Sequence, residues 1–174
     1  DQGFRRINWD APGSALPFNM PGDFFHITVT RGLEFVPVVS GQEFLVSNDG
    51  NGDDLFDSVN EHASEDFSTF SAPRIFAQTE SNTIRIIFHE AGSGANAPLA
   101  GVSGFAAVLV DVDLPEATKM IFYDQDGCVI TRAFADPKDK GLSLLGAFTG
   151  RADIFTVDIV VPNDTLIYTL TVSN

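Results

Sequence analysis

The sequence predicts an all-β protein, a single antiparallel β-sandwich of jelly-roll type with short helices at most. Its apolar residues fall in short runs that alternate with polar residues, which is the period of a half-buried strand rather than of a helix. The runs are rich in Val, Ile, Phe and Thr, the residues that suit a pleated surface. Turn-forming pairs such as Pro21-Gly22 and Asp126-Gly127 separate the runs, as in antiparallel sandwiches.

Residues 1–174 contain neither an internal repeat nor a linker, so they are expected to form one domain. The strongest short hairpin signal is Asp126-Gly127, which lies between two apolar runs. The predicted strands are Phe4–Trp9, Phe24–Thr28, Leu33–Val39, Glu43–Ser47, Thr83–His89, Gly104–Val112, Thr118–Asp124, Cys128–Phe134, Leu142–Phe148, Asp153–Val161 and Leu166–Val172.

The segment Asp49–Phe70 departs from this pattern and is expected to be a long loop. Leu55, Phe56 and Val59 have the spacing of one helical turn. The chain has no Lys or Arg between Gly32 and Pro73, and this stretch holds nine carboxylates. Long loops in compact domains are often functional.

Charge excludes some partners and favours one compartment. The chain has 10 Lys and Arg against 24 Asp and Glu, a formal net charge of −14. Nucleic acids and anionic membrane surfaces both require clustered basic residues, so neither is an expected partner. No apolar stretch approaches the roughly 20 residues of a membrane-spanning helix, so membrane insertion is not expected. An acidic, lysine-poor surface and a start at Asp1, which fits removal of a signal peptide, favour a secreted, extracellular or periplasmic protein.

Calcium is the predicted cofactor, in a structural role. Asp49, Asn51 and Asp53 alternate along a glycine-containing segment, as oxygen ligands do in calcium-binding loops. The loop lacks the glutamate of an EF-hand, because Glu61 lies twelve residues after Asp49 rather than eleven. Asp, Asn and Gly also favour solvated turns, so a turn without an ion is the alternative.

Two further sets of carboxylates are candidate calcium ligands. Asp10 follows the first predicted strand and Asp164 precedes the last, and the two lie close together if those strands are neighbours. Asp111 and Asp113 share a face of one strand, where two carboxylates repel each other unless water, Arg or a cation separates them. The alternative for each residue is that it caps a turn.

The sequence offers little evidence for catalysis. His26, His62 and His89 are scattered, and no nucleophile elbow or phosphate-binding glycine loop is present. A polysaccharide lyase requires a set such as His89, Tyr123 and Arg132 in one cleft. A glycosidase requires two carboxyls facing each other across a cleft.

Sugar-binding platforms usually have exposed Trp or Tyr, which combine an apolar ring face with a polar group. The candidates are Trp9, Tyr123 and Tyr168, against 16 Phe that at this density are expected to form the core.

Six segments of the chain carry a resemblance to a known family: Ile7–Asp10, Asn19–Phe25, Val102–Val108, Val112–Leu114, Ile121–Asp124 and Gly141–Gly146. Together they resemble a family of uncharacterised secreted bacterial β-domains, often found in proteins with PEP-CTERM-type sorting tails. The layout is also loosely similar to carbohydrate-binding jelly-roll modules. In those modules an acidic residue after the first strand and an aspartate near the last strand hold a structural calcium, which implies Asp10 and Asp164 here.

Together these observations predict a secreted, non-catalytic module that binds a polysaccharide or cell-surface glycan and carries a structural calcium. A structural or adhesive surface protein without a small-molecule site is the first alternative. A glycosidase or polysaccharide lyase on the same scaffold is the second.

The calcium prediction is tested by the melting temperature. An ion that binds only the folded chain stabilises it by mass action, so the melting temperature should be higher in calcium than in a chelator. Equal melting temperatures in the two buffers would contradict a structural calcium.

Overall fold

The chain forms three antiparallel β-sheets, and the prediction of an all-β protein is confirmed. The computed structural model describes residues 3–7, 9, 19–47, 55–57, 63–70, 74–162 and 171–173. The strands are β1 (Arg6–Ile7), β2 (Asn19–Met20), β3 (Leu33–Val36), β4 (Phe44–Val46), β5 (Phe76–Gln78), β6 (Thr83–Phe88), β7 (Gly104–Val112), β8 (Lys119–Tyr123), β9 (Val129–Phe134), β10 (Lys138–Phe148), β11 (Thr156–Val160) and β12 (Thr171–Ser173).

The strands pair in the orders β1-β12-β7-β10, β3-β6-β11-β8-β9 and β2-β4-β5. In the five-stranded sheet, β3, β6 and β8 alternate between buried apolar residues on one face and more exposed residues on the other. In β6, for example, Ile84, Ile86 and Phe88 are buried, while Arg85 and Ile87 are partly exposed. The jelly-roll arrangement remains a prediction, because it depends on connections that include undescribed residues.

The main hydrophobic core contains residues from all three sheets. Phe35 and Phe122 of the five-stranded sheet, Phe105 of the four-stranded sheet and Phe76 of the three-stranded sheet are all buried in it. Trp9 stacks on Phe76 with ring centroids 4.7 Å apart. Phenylalanine is therefore mainly a core residue here, as the sequence predicted.

The segment Phe24–Thr28 was predicted as a strand, and this prediction is wrong. It forms a π-helical turn, in which the Val29 N–H donates to the Phe24 carbonyl. A strand directs consecutive side chains to opposite faces, whereas the turn buries Phe24, Phe25 and His26 together. Burial of three adjacent side chains thus overrides the β-propensity of this sequence.

The loop predicted over Asp49–Phe70 contributes to a second, smaller hydrophobic cluster. Phe56 and Phe67 pack there with Leu45 of β4 and Val110 of β7. The helical turn predicted at Leu55, Phe56 and Val59 is wrong for the first two residues, because both have positive φ angles. Val59 lies outside the described residues.

Two short strands, Asn19–Met20 and Phe76–Gln78, were not predicted from the sequence. Phe76–Gln78 is buried on both faces and so does not alternate, and Asn19–Met20 has only two residues, too few to show a pattern. The helices of the described residues are short: the π-helical turn, the α-helix Ala63–Asp66 and the 3-10 turn Gly94–Asn96. None of them is long and apolar enough to cross a membrane.

Close contact between β7 and β10 requires a glycine in β10. Gly146 lies opposite Ala106 of β7. A Cβ atom at Gly146 would lie 2.5 Å from the Ala106 Cβ and 2.5 Å from the Phe105 carbonyl oxygen. Only glycine therefore fits without a shift of one strand.

We expect Gly146→Ala to lower the free energy of unfolding by about 1–3 kcal/mol, the usual cost of overpacking. Urea denaturation measures this change. Gly3→Ala is the control, because a Cβ there meets nothing within 4 Å. Where space allows, Gly→Ala stabilises by roughly 0.4–1 kcal/mol through the unfolded chain, so a neutral or stabilised Gly146→Ala variant would contradict the prediction.

Candidate functional site

Most of the predicted calcium ligands cannot be placed. Asp10, Asp49, Asn51, Asp53 and Asp164 lie outside the described residues, so their role stays a prediction.

Asp113 is described, and the fold brings it close to two other carboxylates. Oxygen atoms of Asp111, Asp113 and Asp139 lie within 4.8 Å of one another. They meet where the pairing of β7 and β10 is irregular, between Lys138 and Leu142. The Asp111 carboxylate accepts a hydrogen bond from the Lys140 N–H at 2.8 Å, so part of its role is to hold this irregular turn.

Of the three aromatic candidates for a sugar platform, the described structure shows one to be partly exposed. Trp9 is 2% exposed and lies in the core, so it offers no platform. Burial of the indole among Phe25, Phe35 and Phe76 explains the result. Tyr168 is outside the described residues. Tyr123 ends β8 and is partly exposed.

The solvent side of the five-stranded sheet, here called the outer face, carries charged and polar side chains together with apolar ones such as Ile121 and Phe134, the latter 50% exposed. Cross-strand pairing places Arg85, Asp158, Ile121 and Arg132 in one row across β6, β11, β8 and β9. The adjacent row includes Tyr123. Because side chains two residues apart on a strand share a face, both rows project from the same side of the sheet.

Arg85 and Asp158 form a bidentate ion pair at the centre of the outer face. The Arg85 Nε and Nη2 atoms donate to the two Asp158 carboxylate oxygens, each at 2.7 Å. Asp158 is buried, whereas the Arg85 side chain is 42% exposed. Since a guanidinium has five N–H donors and Asp158 takes two, three remain for other partners.

The charges of Asp158, Arg85 and Arg132 change the pKa of the Tyr123 hydroxyl. Burial raises the pKa of the Tyr123 hydroxyl, and the negative charge of Asp158 and a hydrogen bond to it raise that pKa further. Arg85 and Arg132 act in the opposite direction. Hydrogen bonds to Asp158 likewise raise the pKa of Arg85. Tyr123, Arg85, Asp158 and Arg132 therefore interact as one group, which we call the Tyr123 group.

The four-stranded sheet has a different solvent side. Leu144 and Phe148 of β10 are 72% and 77% exposed. They lie opposite Val108 and Gly104 of β7, so this side is apolar.

His89 does not complete the set considered for a lyase. It follows β6, and β11 separates that strand from the one that carries Tyr123. Two strand spacings amount to about 10 Å, beyond hydrogen-bond reach. His89 instead packs against His26, although the two histidines are far apart in the sequence.

Comparisons of the chain with protein-family models, with curated proteins and with solved structures found no match. The case for a function therefore depends on the geometry of these side chains.

We expect Asp158→Asn to lower the pKa of Tyr123, because it removes the negative charge that disfavours the tyrosinate. The effect of burial remains, so part of the rise should persist. Titration of tyrosinate absorbance in a Tyr168→Phe background measures the change. Asp136→Asn, an exposed carboxylate that does not act on Tyr123, is the control, and an equal effect of both variants would contradict the assignment.

Proposed function

We propose that this protein is a non-catalytic module that binds a polysaccharide or cell-surface glycan on the outer face of the five-stranded sheet. The observation that supports the proposal most is the Tyr123 group, in which a partly exposed aromatic ring adjoins an ion pair held in fixed geometry. The core below it is fully packed, so the side chains project from a rigid surface.

The chemistry of the Tyr123 group matches that of a sugar. A sugar ring has an apolar C–H face, which packs on an aromatic ring, and a rim of hydroxyls. The free N–H groups of Arg85 donate to hydroxyl oxygens, and charge-assisted hydrogen bonds of this kind are stronger than neutral ones. Because Asp158 already holds the guanidinium, little side-chain entropy is lost on binding.

The distribution of positive charge supports the same face. The chain has 10 Lys and Arg in total, and Arg85, Lys119 and Arg132 lie on β6, β8 and β9 of this one sheet. They supply this face with hydrogen-bond donors in a chain that is acidic as a whole. Secretion and a structural calcium belong to the same proposal and rest on features of the sequence alone.

A glycan array, run with and without calcium, tests the proposal. We expect wild-type protein to bind, and Tyr123→Ala and Arg132→Ala to reduce affinity by about tenfold or more, since an aromatic contact contributes roughly 0.5–1.5 kcal/mol beyond its buried area. Phe148→Ala is the matched control, because it removes an exposed aromatic ring from the other sheet.

Two outcomes would contradict glycan binding on the outer face. One is an equal loss of signal in Tyr123→Ala and Phe148→Ala, and the other is no signal on any glycan.

If no glycan gives a signal, the exposed Leu144 and Phe148 favour the adhesive alternative. Among the described strands β10 is at the edge of its sheet, and an apolar edge strand pairs readily with another chain. Sedimentation of wild-type and Phe148→Ala protein would then show self-association in the first and its loss in the second.

A further inference from the structure

Two histidines and a glutamate meet beside the edge strand of the five-stranded sheet, outside the Tyr123 group. His26 comes from the π-helical turn, Glu34 from β3 and His89 from the residue after β6. One nitrogen or oxygen atom from each lies within 4.8 Å of the others. We call these three residues the histidine cluster.

His89 is oriented by hydrogen bonds at both ring nitrogens. Nδ1 lies 3.2 Å from the Ala97 carbonyl oxygen, which only accepts, so Nδ1 carries the proton and donates. Nε2 lies 2.9 Å from a Glu34 carboxylate oxygen. The Ala97 carbonyl is the kind of outer partner that holds a metal-bound histidine through its Nδ1–H. A carboxylate also only accepts, so in the metal-free chain Nε2–H donates to Glu34, and a metal ion that binds Nε2 displaces this proton.

His26 supplies a second, independent observation. It is 5% exposed, and its Nδ1 atom is buried without a hydrogen-bond partner. Proteins rarely leave a buried polar atom unsatisfied, so such an atom suggests a partner that is not a protein group. The His26 ring stacks on His89, with centroids 4.0 Å apart and planes inclined by 28°. A ring nitrogen of His26 lies within 4.8 Å of a ligand atom of Glu34 and of His89, so the buried imidazole adjoins the other two residues of the cluster.

The backbone holds the cluster in place. The His89 N–H donates to the Gly32 carbonyl at 2.9 Å, and Gly32 has a φ of +74° that favours glycine. A Cβ at Gly32 would collide with the His89 carbonyl oxygen. The turn before β3 and the end of β6 are therefore fixed against each other, which fixes the backbone positions of Glu34 and His89 while their side chains can still adjust.

We propose that His26, Glu34 and His89 bind a zinc ion. Two imidazole nitrogens and one carboxylate oxygen form a ligand set that zinc takes in proteins, with a fourth position for water or a ligand. Calcium prefers six to eight oxygens, so this site is distinct from the predicted calcium sites. The proposal is also independent of glycan binding, because it uses none of the residues of the Tyr123 group.

The distances require a small adjustment on binding. Ligand atoms about 2.0–2.1 Å from a tetrahedral zinc lie roughly 3.3 Å from one another. The Glu34–His89 pair at 2.9 Å would open slightly, and the His26 ring, which stacks on His89, would turn so that a nitrogen lone pair in its plane points at the ion. The Glu34 side chain is 31% exposed and can make this movement by changing rotamer.

Calorimetric titration of chelator-treated protein with zinc tests the proposal. We expect one zinc per chain in the wild type. Glu34→Gln and His89→Gln should weaken binding at least by the roughly 10–100-fold that loss of an outer-sphere partner costs. Cobalt is a spectroscopic substitute, and its visible absorption should have the high intensity of a four-coordinate ion.

The matched controls are Glu90→Gln, an exposed carboxylate next to His89, and His62→Gln, the one histidine outside the cluster. Both should bind zinc like the wild type. His26 is buried, so His26→Gln is interpreted only if urea denaturation shows that it folds. The decisive variant is the partly exposed Glu34→Gln.

Three results would overturn the proposal. They are the absence of stoichiometric zinc binding, wild-type affinity in both Glu34→Gln and His89→Gln, or the weak absorption of six-coordinate cobalt. Each would mean that the three residues do not form a four-coordinate zinc site, and the contact between Glu34 and His89 would then be a hydrogen bond with a structural role only. None would bear on the glycan array, so the two proposals fail separately.

Discussion

The register of the central strand β11 is the constraint on which both faces of the five-stranded sheet depend. Val157 and Ile159 point into the main core and are fully buried. Asp158, between them, therefore points outward, where pairing with β6 places it beside Arg85. A shift of one residue would bury the carboxylate in the apolar core and expose the two aliphatic residues, so hydrophobic burial itself positions the Tyr123 group.

The sequence predicted the parts of the fold that follow from alternation and from turn residues. Gly104–Val112 matches its predicted bounds, and the Asp126-Gly127 turn joins two paired strands. Phe24–Thr28 was mistaken for a strand because its composition suits one. Its conformation depends on the residues that pack against Phe24, Phe25 and His26 in the folded chain. The order of apolar and polar residues within the segment does not show which residues those are.

Neither candidate site could be predicted as a set of side chains that lie close together, because each is formed by residues from distant parts of the chain. Arg85 and Asp158 are 73 residues apart, and Glu34 and His89 are 55 apart. Their proximity depends on strand order, which a single sequence leaves open. The available signal was weaker: a lone polar residue in an apolar strand, such as Asp158 between Val157 and Ile159, requires a partner when it is buried.

The two proposed sites share strand β6. Arg85 and His89 lie on the same side of this strand, four residues and about 13 Å apart. β3 is the edge strand of the sheet, and in the histidine cluster its Glu34 lies 2.9 Å from the His89 ring. A metal ion shared by these two residues would tie the edge strand to its neighbour and stabilise only the folded sheet. The Tyr123 group does not depend on that tie, because β6 and β8 both pair with β11 and already hold Arg85, Asp158 and Tyr123 beside one another.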